Sequence, residues 1–333
     1  MKKDSPFRNM LIIKPGAIGD LLQMTPVIRA LSEKYPEARI SLLVGNRTTA
    51  DMFRYSPRLF FTYVFDKEQE HRKPAAFLNL WRALRQKKFD LVINFQRSNL
   101  KTWLLAAAAF PCPVLVYHKR DGVHAVANYL ETLAPLGITA APLDLEMKTG
   151  PEQKEHARQI AASLGGQGTP LIALNPGASH PVNRWPVDSF AALADRLAAE
   201  LGARIVVIGG AGDSALSDAI GARSSTRPLH LAGKLDLLQL AALLEECDLL
   251  VSGDTGPMHM ATAVGTRVLA LFGAADPART GPVGTGHVVL QASGVPCIPC
   301  RSRTCAHRPP LVCMESLSVE IVFAAIREML RNR

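Results

Sequence analysis

The chain of 333 residues has no apolar run near the length a membrane span needs, roughly 18 residues. Its longest candidate, Trp103 to Phe110 (WLLAAAAF), is far too short. The N-terminus MKKDSPFRN lacks the apolar core of a signal peptide, so the expectation is a soluble, cytoplasmic protein. Aromatic residues make up only 6% of the chain and no Lys/Arg run exceeds three residues, which argues against a stacking platform for nucleic acid. Neither G-x-G-x-x-G nor a Walker A sequence ends a strand-like segment, which weakens NAD-dependent and ATP-hydrolysing readings. Cysteine is scarce and unevenly placed. Cys112 and Cys247 stand alone, and the other four crowd between Cys297 and Cys313. A small secreted disulfide scaffold spreads its cysteines, so a reducing compartment is expected.

What is present is apolar and basic. With 48% hydrophobic residues the chain can bury substantial cores, and its length suggests two domains. The formal charge of +9 favours an acidic partner, whether nucleic acid, an anionic membrane surface or a phosphorylated substrate. Apolar strands are predicted at 10–14, 40–44, 60–65, 91–95 and 113–117, with helices at 21–34, 74–87, 98–109 and 122–134 between them. Continuous apolar strands alternating with amphipathic helices imply a parallel sheet covered on both faces. The series restarts after a charged helix and Gly-rich break at 150–170. New strands follow at 171–175, 204–210, 249–253 and 267–273, with helices at 188–201, 213–222 and 235–246. The expectation is two doubly wound Rossmann-like domains, 1–150 and 151–333, with a cleft between the carboxyl ends of their strands. A last helix, about 318–331, follows a cysteine loop (295–313) and could cap either half.

Ligands in such sheets sit at strand ends. NPGASHPVNRWP (175–186) follows the first strand of the second half. Gly177, Ala178 and Ser179 offer backbone N–H groups and a hydroxyl there, and Arg184 a charge suited to phosphate oxygens. A plain Pro/Gly turn is the competing reading. VSGDTGPMHMATAVG (251–265) is stronger: a buried strand ends and a helix begins near Thr255, Gly256 and Pro257, where free N–H groups and the helix dipole favour an anion. Asp254 is either an N-cap or a holder of a sugar hydroxyl, and His259 is either packed or within reach of a phosphate. FGAADPARTGPVG (272–284) is too long for a minimal connection and reads as a binding loop.

KPGAIGDLLQMTP, NPGASHPVNRWP, SGDTGPMHMATAVGT and FGAADPARTGP, in this order and spacing, resemble glycosyltransferase family 9, the ADP-heptose:lipopolysaccharide heptosyltransferases, over about residues 8 to 330. The resemblance implies a GT-B fold, with two Rossmann-like domains facing a central cleft. The acceptor would lie in the first and the donor nucleotide-sugar in the second, with inversion at the anomeric carbon and no catalytic metal. It implies donor contacts at Asn175, Gly177, Ala178, Ser179, Arg184, Asp254, Thr255, Gly256, Pro257 and His259. The family often has a basic pair before the Trp-Pro of the second motif; here that pair is Asn183-Arg184, which leaves Arg184 or Lys14 to take the role of the missing lysine.

An acid at the mouth of the first loop is the odd feature. Asp20 with Gln23 fits a capping box. The resemblance makes Asp20 the general base that takes the acceptor hydroxyl's proton, with Gly19 and Lys14 beside the acceptor. Arg97, Lys101, Lys119 and Arg120 are further candidates for acceptor contact, because lipopolysaccharide core carries carboxylates and phosphates. The implied partners are ADP-heptose or a similar nucleotide-sugar and a core precursor at the inner membrane surface, with no nucleic acid, and the protein would sit at the inner face of the cytoplasmic membrane. The helix at 77–88 either lies on that membrane or packs Phe77, Leu80, Trp81 and Leu84 onto the sheet. Cys297, Cys300, Cys305 and Cys313 read either as a structural zinc or iron site or as reduced thiols or a labile disulfide. Two other functions compete: a sugar-nucleotide epimerase on the same plan, and a non-enzymatic metal- or nucleic-acid-binding protein.

Overall fold

The computed structural model describes residues 7–96, 100–166 and 168–331. The chain divides into two compact units, 1–148 and 149–333.

The first unit is a five-stranded parallel sheet in the order β3-β2-β1-β4-β5. Its strands are β1 (Asn9–Ile13), β2 (Arg39–Val44), β3 (Phe61–Val64), β4 (Leu91–Asn94) and β5 (Val114–Val116). Met10, Leu11, Ile12 and Ile13 are all fully buried, as expected for a strand covered on both faces. The helices are α1 (Ile18–Leu22), α2 (Thr25–Lys34), α3 (Arg47–Asp51), α4 (Pro74–Gln86), α5 (Leu100–Ala107) and α6 (Ala125–Glu131). The single helix expected over 21–34 is two. Pro26 has no N–H to give the carbonyl of Leu22, and the Thr25 hydroxyl donates to that carbonyl instead, at 2.7 Å. On α4, Leu80 and Leu84 are buried and Phe77 and Trp81 pack against the same core. This helix therefore packs onto the sheet and does not offer that face to a membrane. The segment after α6 is tied back to the unit by Glu146, which pairs with Arg29 at 3.0 Å and Arg58 at 2.8 Å.

The second unit is a six-stranded parallel sheet ordered β11-β10-β9-β6-β7-β8. Its strands are β6 (Leu171–Asn175), β7 (Arg204–Val207), β8 (Leu229–His230), β9 (Leu249–Ser252), β10 (Val268–Phe272) and β11 (Val288–Gln291). The edge strands β8 and β11 are not in the sequence reading. The helices are α7 (Pro151–Ser163), α8 (Val187–Leu201), α9 (Ser214–Arg223), α10 (Leu237–Glu246), α11 (Gly256–Val264), α12 (Pro277–Thr280), α13 (Val312–Glu315) and α14 (Val319–Arg331). The last of these belongs to the second unit: Val322, Phe323, Ile326 and Met329 enter its core beside Phe190 and Trp185. The Trp185 indole N–H donates to the carbonyl of Leu317 at 2.7 Å.

Strand order locates the sites. In the first sheet the winding reverses between β1 and β4, and in the second between β6 and β9. Ligands of doubly wound sheets bind at such reversals, outside the carboxyl ends of the strands. The loops that follow β1, β6 and β9 are the ones carrying the KPGAIGD, NPGASH and SGDTGP sequences.

Candidate functional site

At the end of β1, Lys14 is buried and Asp20 is not. Asp20 is the third residue of α1, whose N-cap is Ala17 without a side-chain cap bond, while Gln23 closes the helix as its C-cap. The capping-box reading is therefore corrected. The chain turns helical before Asp20 is reached, so its carboxylate is free of any capping duty. It accepts a hydrogen bond from the Tyr129 hydroxyl at 3.0 Å and lies 3.6 Å from the Lys14 ammonium, with its side chain 45% exposed. The Lys14 ammonium in turn donates to the Tyr129 oxygen at 3.0 Å. Burial lowers the lysine's pKa, and the charge of Asp20 pulls it partly back. Burial, and then the Asp20 charge, raise that of Tyr129, which keeps it a donor. Tyr129 is wedged between Phe95 and Tyr117, with ring centroids 5.4 and 5.1 Å away. The result is a carboxylate held in one orientation, half open to solvent, and able to accept a proton.

Of the other acceptor candidates, Gly19 lies within α1 beside Asp20, and Lys101 is exposed on α5. Arg120 is exposed and paired with Glu131 at 2.8 Å, and Lys119 is exposed beside it. Arg97 lies outside the described residues.

In the second unit Asn175 ends β6 opposite Ser252 of β9. Its side-chain amide donates to the hydroxyls of Ser252 at 2.9 Å and Thr255 at 3.0 Å. Thr255 is the N-cap of α11, yet its side chain makes no cap bond. It is turned toward Asn175, so the first N–H groups of α11, at Gly256 and beyond Pro257, have no side-chain acceptor. Asp254 precedes the cap and does not serve as one, so its N-cap reading is also corrected. Its carboxylate accepts from the Thr280 hydroxyl at 3.0 Å and stands 3.8 Å from the imidazole of the buried His259. Burial pushes Asp254 up to about 6, against the opposing bond from Thr280.

Two glycines shape this end of the sheet. A Cβ on Gly177 would sit 2.5 Å from the Asp213 carboxyl carbon, and one on Gly253 would sit 2.9 Å from the carbonyl oxygen of Asn183. The second close approach presses the 181–184 turn against the end of β9. That turn carries Arg184, whose guanidinium donates to the carbonyl of the buried Ala178 at 3.1 Å, while its buried Nε has no hydrogen-bond partner. Ser179 is exposed.

Next to Asp254 is a cavity of about 220 Å³, lined among others by Asn183, Asp276, Arg279, Thr280, Arg301 and Arg303. The sequence reading missed these arginines. Arg301 and Arg303 arrive from the cysteine loop, which is pinned to the end of β10 by the Arg301 N–H donating to the Ala274 carbonyl at 2.7 Å. The thiols drew attention to that loop, and the cations between them were the overlooked signal. Tyr129 was missed too, since nothing local ties it to a residue 109 positions earlier.

The four loop cysteines are free thiols: Cys297, Cys300 and Cys305 are exposed and Cys313 is buried. They line a cavity of about 340 Å³ together with His307. Burial, and then the neighbouring thiols, raise the pKa of Cys313. Among the described residues no three His, Cys, Asp or Glu side chains stand where they could share a metal ion. Cys313 packs within the second core, so as placed the four do not fit a thiolate shell. No helix among the described residues is long and apolar enough to cross a membrane.

Comparison with known proteins adds to this geometry. The model of glycosyltransferase family 9 (heptosyltransferase) matches residues 77–310. Lipopolysaccharide heptosyltransferase 3 of Escherichia coli K12 is 30% identical over 289 residues, covering 78% of this chain and 80% of that protein. A family 9 glycosyltransferase structure from Veillonella parvula superposes with a TM-score of 0.86 at 25% identity, covering 99% of this chain and all of the other. The E. coli ADP-heptose lps heptosyltransferase II structure gives 0.78 at 20% identity, covering 97% of this chain and 99% of that one.

Proposed function

The chain belongs to glycosyltransferase family 9, the heptosyltransferases, and from that premise we propose that it is an inverting enzyme which moves a heptose, or a related sugar, from an ADP-sugar to a lipopolysaccharide core acceptor. Its two α/β units are those of the GT-B fold. Family membership sets aside the non-enzymatic reading and favours sugar transfer over epimerisation.

The observation that carries the mechanism is the Asp20 carboxylate, held by Tyr129 and Lys14 and open to solvent at the reversal point of the first sheet. In this reading the acceptor hydroxyl oxygen attacks the anomeric carbon and its proton passes to Asp20. The bond from that carbon to the diphosphate breaks, and its electron pair leaves with ADP. The developing charge on the diphosphate suits the uncapped N–H groups of α11, from Gly256 onward, with Arg184 and the Arg279, Arg301 and Arg303 cations nearby. In this reading Asp254, His259 and Asn175 hold donor hydroxyls or order the loop, a role supported by the contacts of Asp254 with Thr280 and of Asn175 with Thr255. Lys14, Gly19, Lys101 and Arg120 are the acceptor candidates. Nothing in these steps calls on a catalytic cofactor. A structural zinc or iron would require the cysteine loop to rearrange around Cys313.

The test is mass spectrometry of products from a panel of nucleotide-sugars with defined core acceptors. ADP-heptose should give an acceptor heavier by one heptose, with the anomeric configuration inverted by NMR. A nucleotide-sugar changed in configuration without any acceptor would instead indicate an epimerase.

A further inference from the structure

Helix α5 is apolar on the side that faces solvent. Thr102, Leu105 and Ala106 point into the unit and are buried. On the other side, Leu100 is 75% exposed, Trp103 37% and Leu104 47%, and Phe110 just beyond the helix is 72% exposed. Leu100, Trp103, Leu104 and the exposed Ala107 fall at the i, i+3, i+4, i+7 spacing of a single helical face. Isolated exposed leucines are ordinary, but a continuous stripe of this kind marks an interaction surface.

Charge says what covers it. Residues 1–148 hold 22 Lys and Arg against 13 Asp and Glu, whereas residues 149–333 hold 16 of each. The whole +9 of the chain therefore lies in the first unit. Leaving aside residues 97–99, the stretch from His71 to Arg120 contains nine Lys and Arg and one acid, Asp90. That acid is occupied by the backbone N–H groups of Arg8 and Asn9. Hydrogen bonds hold α4, and with it the Arg85 cation, against the stripe. Arg85 of α4 donates to the carbonyls of Ala108 and Phe110 at the end of α5, and the Trp81 indole donates to that of Leu104 at 3.0 Å.

We propose that the outward face of α5, with the exposed Arg82 and Arg85 of α4 and Lys87 and Lys88 just after it, docks this protein on an anionic lipid bilayer. The stripe is short, so it reaches the headgroup and upper acyl region and goes no deeper. An indole at its centre suits that interface. A second copy of this chain is the poorer occupant, because it would bring an equally cationic face against this one. The inference concerns where the enzyme sits and holds whether or not the proposed donor and acceptor are correct.

The test uses the intact protein and co-sedimentation with vesicles. It should bind mixed phosphatidylcholine and phosphatidylglycerol vesicles, bind phosphatidylcholine alone far more weakly, and come off as salt is raised. The double variant Leu100→Ser and Leu104→Ser replaces only exposed side chains, so its melting curve should match the parent. Its partition onto anionic vesicles should fall about tenfold or more. Equal binding of the folded double variant, or no binding by the parent at low salt, would overturn the proposal. So would sedimentation velocity showing a dimer that the same two substitutions dissociate, since a second copy would then be the occupant. If the parent proved inactive with every sugar donor, the proposed function would fall while the vesicle result stood.

Discussion

Replacing Asp20 by asparagine separates a proton acceptor from a merely structural carboxylate. Asp20 caps no helix, so the amide leaves intact the backbone bonds of α1, Leu21 to Ala17 at 3.0 Å and Gln23 to Gly19 at 2.9 Å. What disappears is a negative charge 3.6 Å from the Lys14 ammonium and the charged acceptor of the Tyr129 hydroxyl. A bond to a charged group contributes about 1.5–3 kcal/mol and a neutral one about 0.5–1.5 kcal/mol. With the Asp20 side chain 45% exposed, solvent screening brings the expected stability loss to about 1 kcal/mol. Losing a general base costs about 10²–10⁴ in kcat, or about 3–5 kcal/mol in the barrier. The kinetic loss should thus exceed the stability loss severalfold. Donor affinity should hardly change, because the donor is assigned to the other unit. Lys14 gives an independent readout. Without Asp20 its lowered pKa falls further, and the folded state binds fewer protons than the unfolded up to the ordinary lysine value of 10.5. Stability then rises with pH in that window, so the lysine's share of the deficit should be full at neutral pH and close as the pH climbs. The assays are steady-state kinetics, calorimetry with the ADP-sugar, and denaturation across pH. Near-normal kcat in a folded Asp20→Asn variant would refute the catalytic assignment.

Arg184→Ala should weaken ADP-sugar affinity by about 1.5–3 kcal/mol, the scale of a charge-assisted hydrogen bond, and calorimetry showing unchanged binding by a folded variant would remove Arg184 from the site. Asp254 is raised to about 6 from 3.8, so the stability it contributes is present below the unfolded value and lost as pH rises through about 6. Asp254→Asn should therefore raise the melting temperature of the unliganded protein well above that pH and not below the ordinary carboxylate range, while weakening donor binding; a destabilised variant at alkaline pH would contradict the burial argument. A thiol reagent should modify Cys297, Cys300 and Cys305 quickly in the native protein and Cys313 slowly. Protection of all four, with about one zinc or iron per chain by elemental analysis, would instead mean that the loop closes on a metal.

The alternation of strand and helix was legible because each central strand is an unbroken apolar run, and such runs in a chain of this length leave few alternatives to covered parallel sheets. β6 was read to the residue, and most other ends fell within two or three positions. The errors have local causes. The break between α1 and α2 depends on a single missing N–H at Pro26, inside a segment whose apolar spacing continues through it. β8 is two residues long and β11 is only partly buried, so neither carries the signature of its central neighbours. The Gly-Asp loops could be found since a doubly wound fold tells the reader to look at strand ends, and the strand order then places them at the winding reversals.

Tertiary contacts decide the rest. KPGAIGD announces a carboxylate but not its state. The lysine that tempers its charge lies six residues earlier in the same motif, whereas the tyrosine that orients it comes from α6, where an aromatic in an amphipathic helix looks like any core residue. The loop arginines were hidden for the opposite reason, by sitting among more conspicuous cysteines. Helix α5 is the plainest instance. Its sequence, LKTWLLAA, is apolar nearly all round, a pattern that in a soluble protein ordinarily means burial on every side. The structure buries one face only. With Leu105 and Ala106 committed to the sheet, Leu100, Trp103 and Leu104 are left outward in the half of the molecule that carries all the net charge. Composition records that charge and periodicity records that apolar helix, but only packing puts the two side by side.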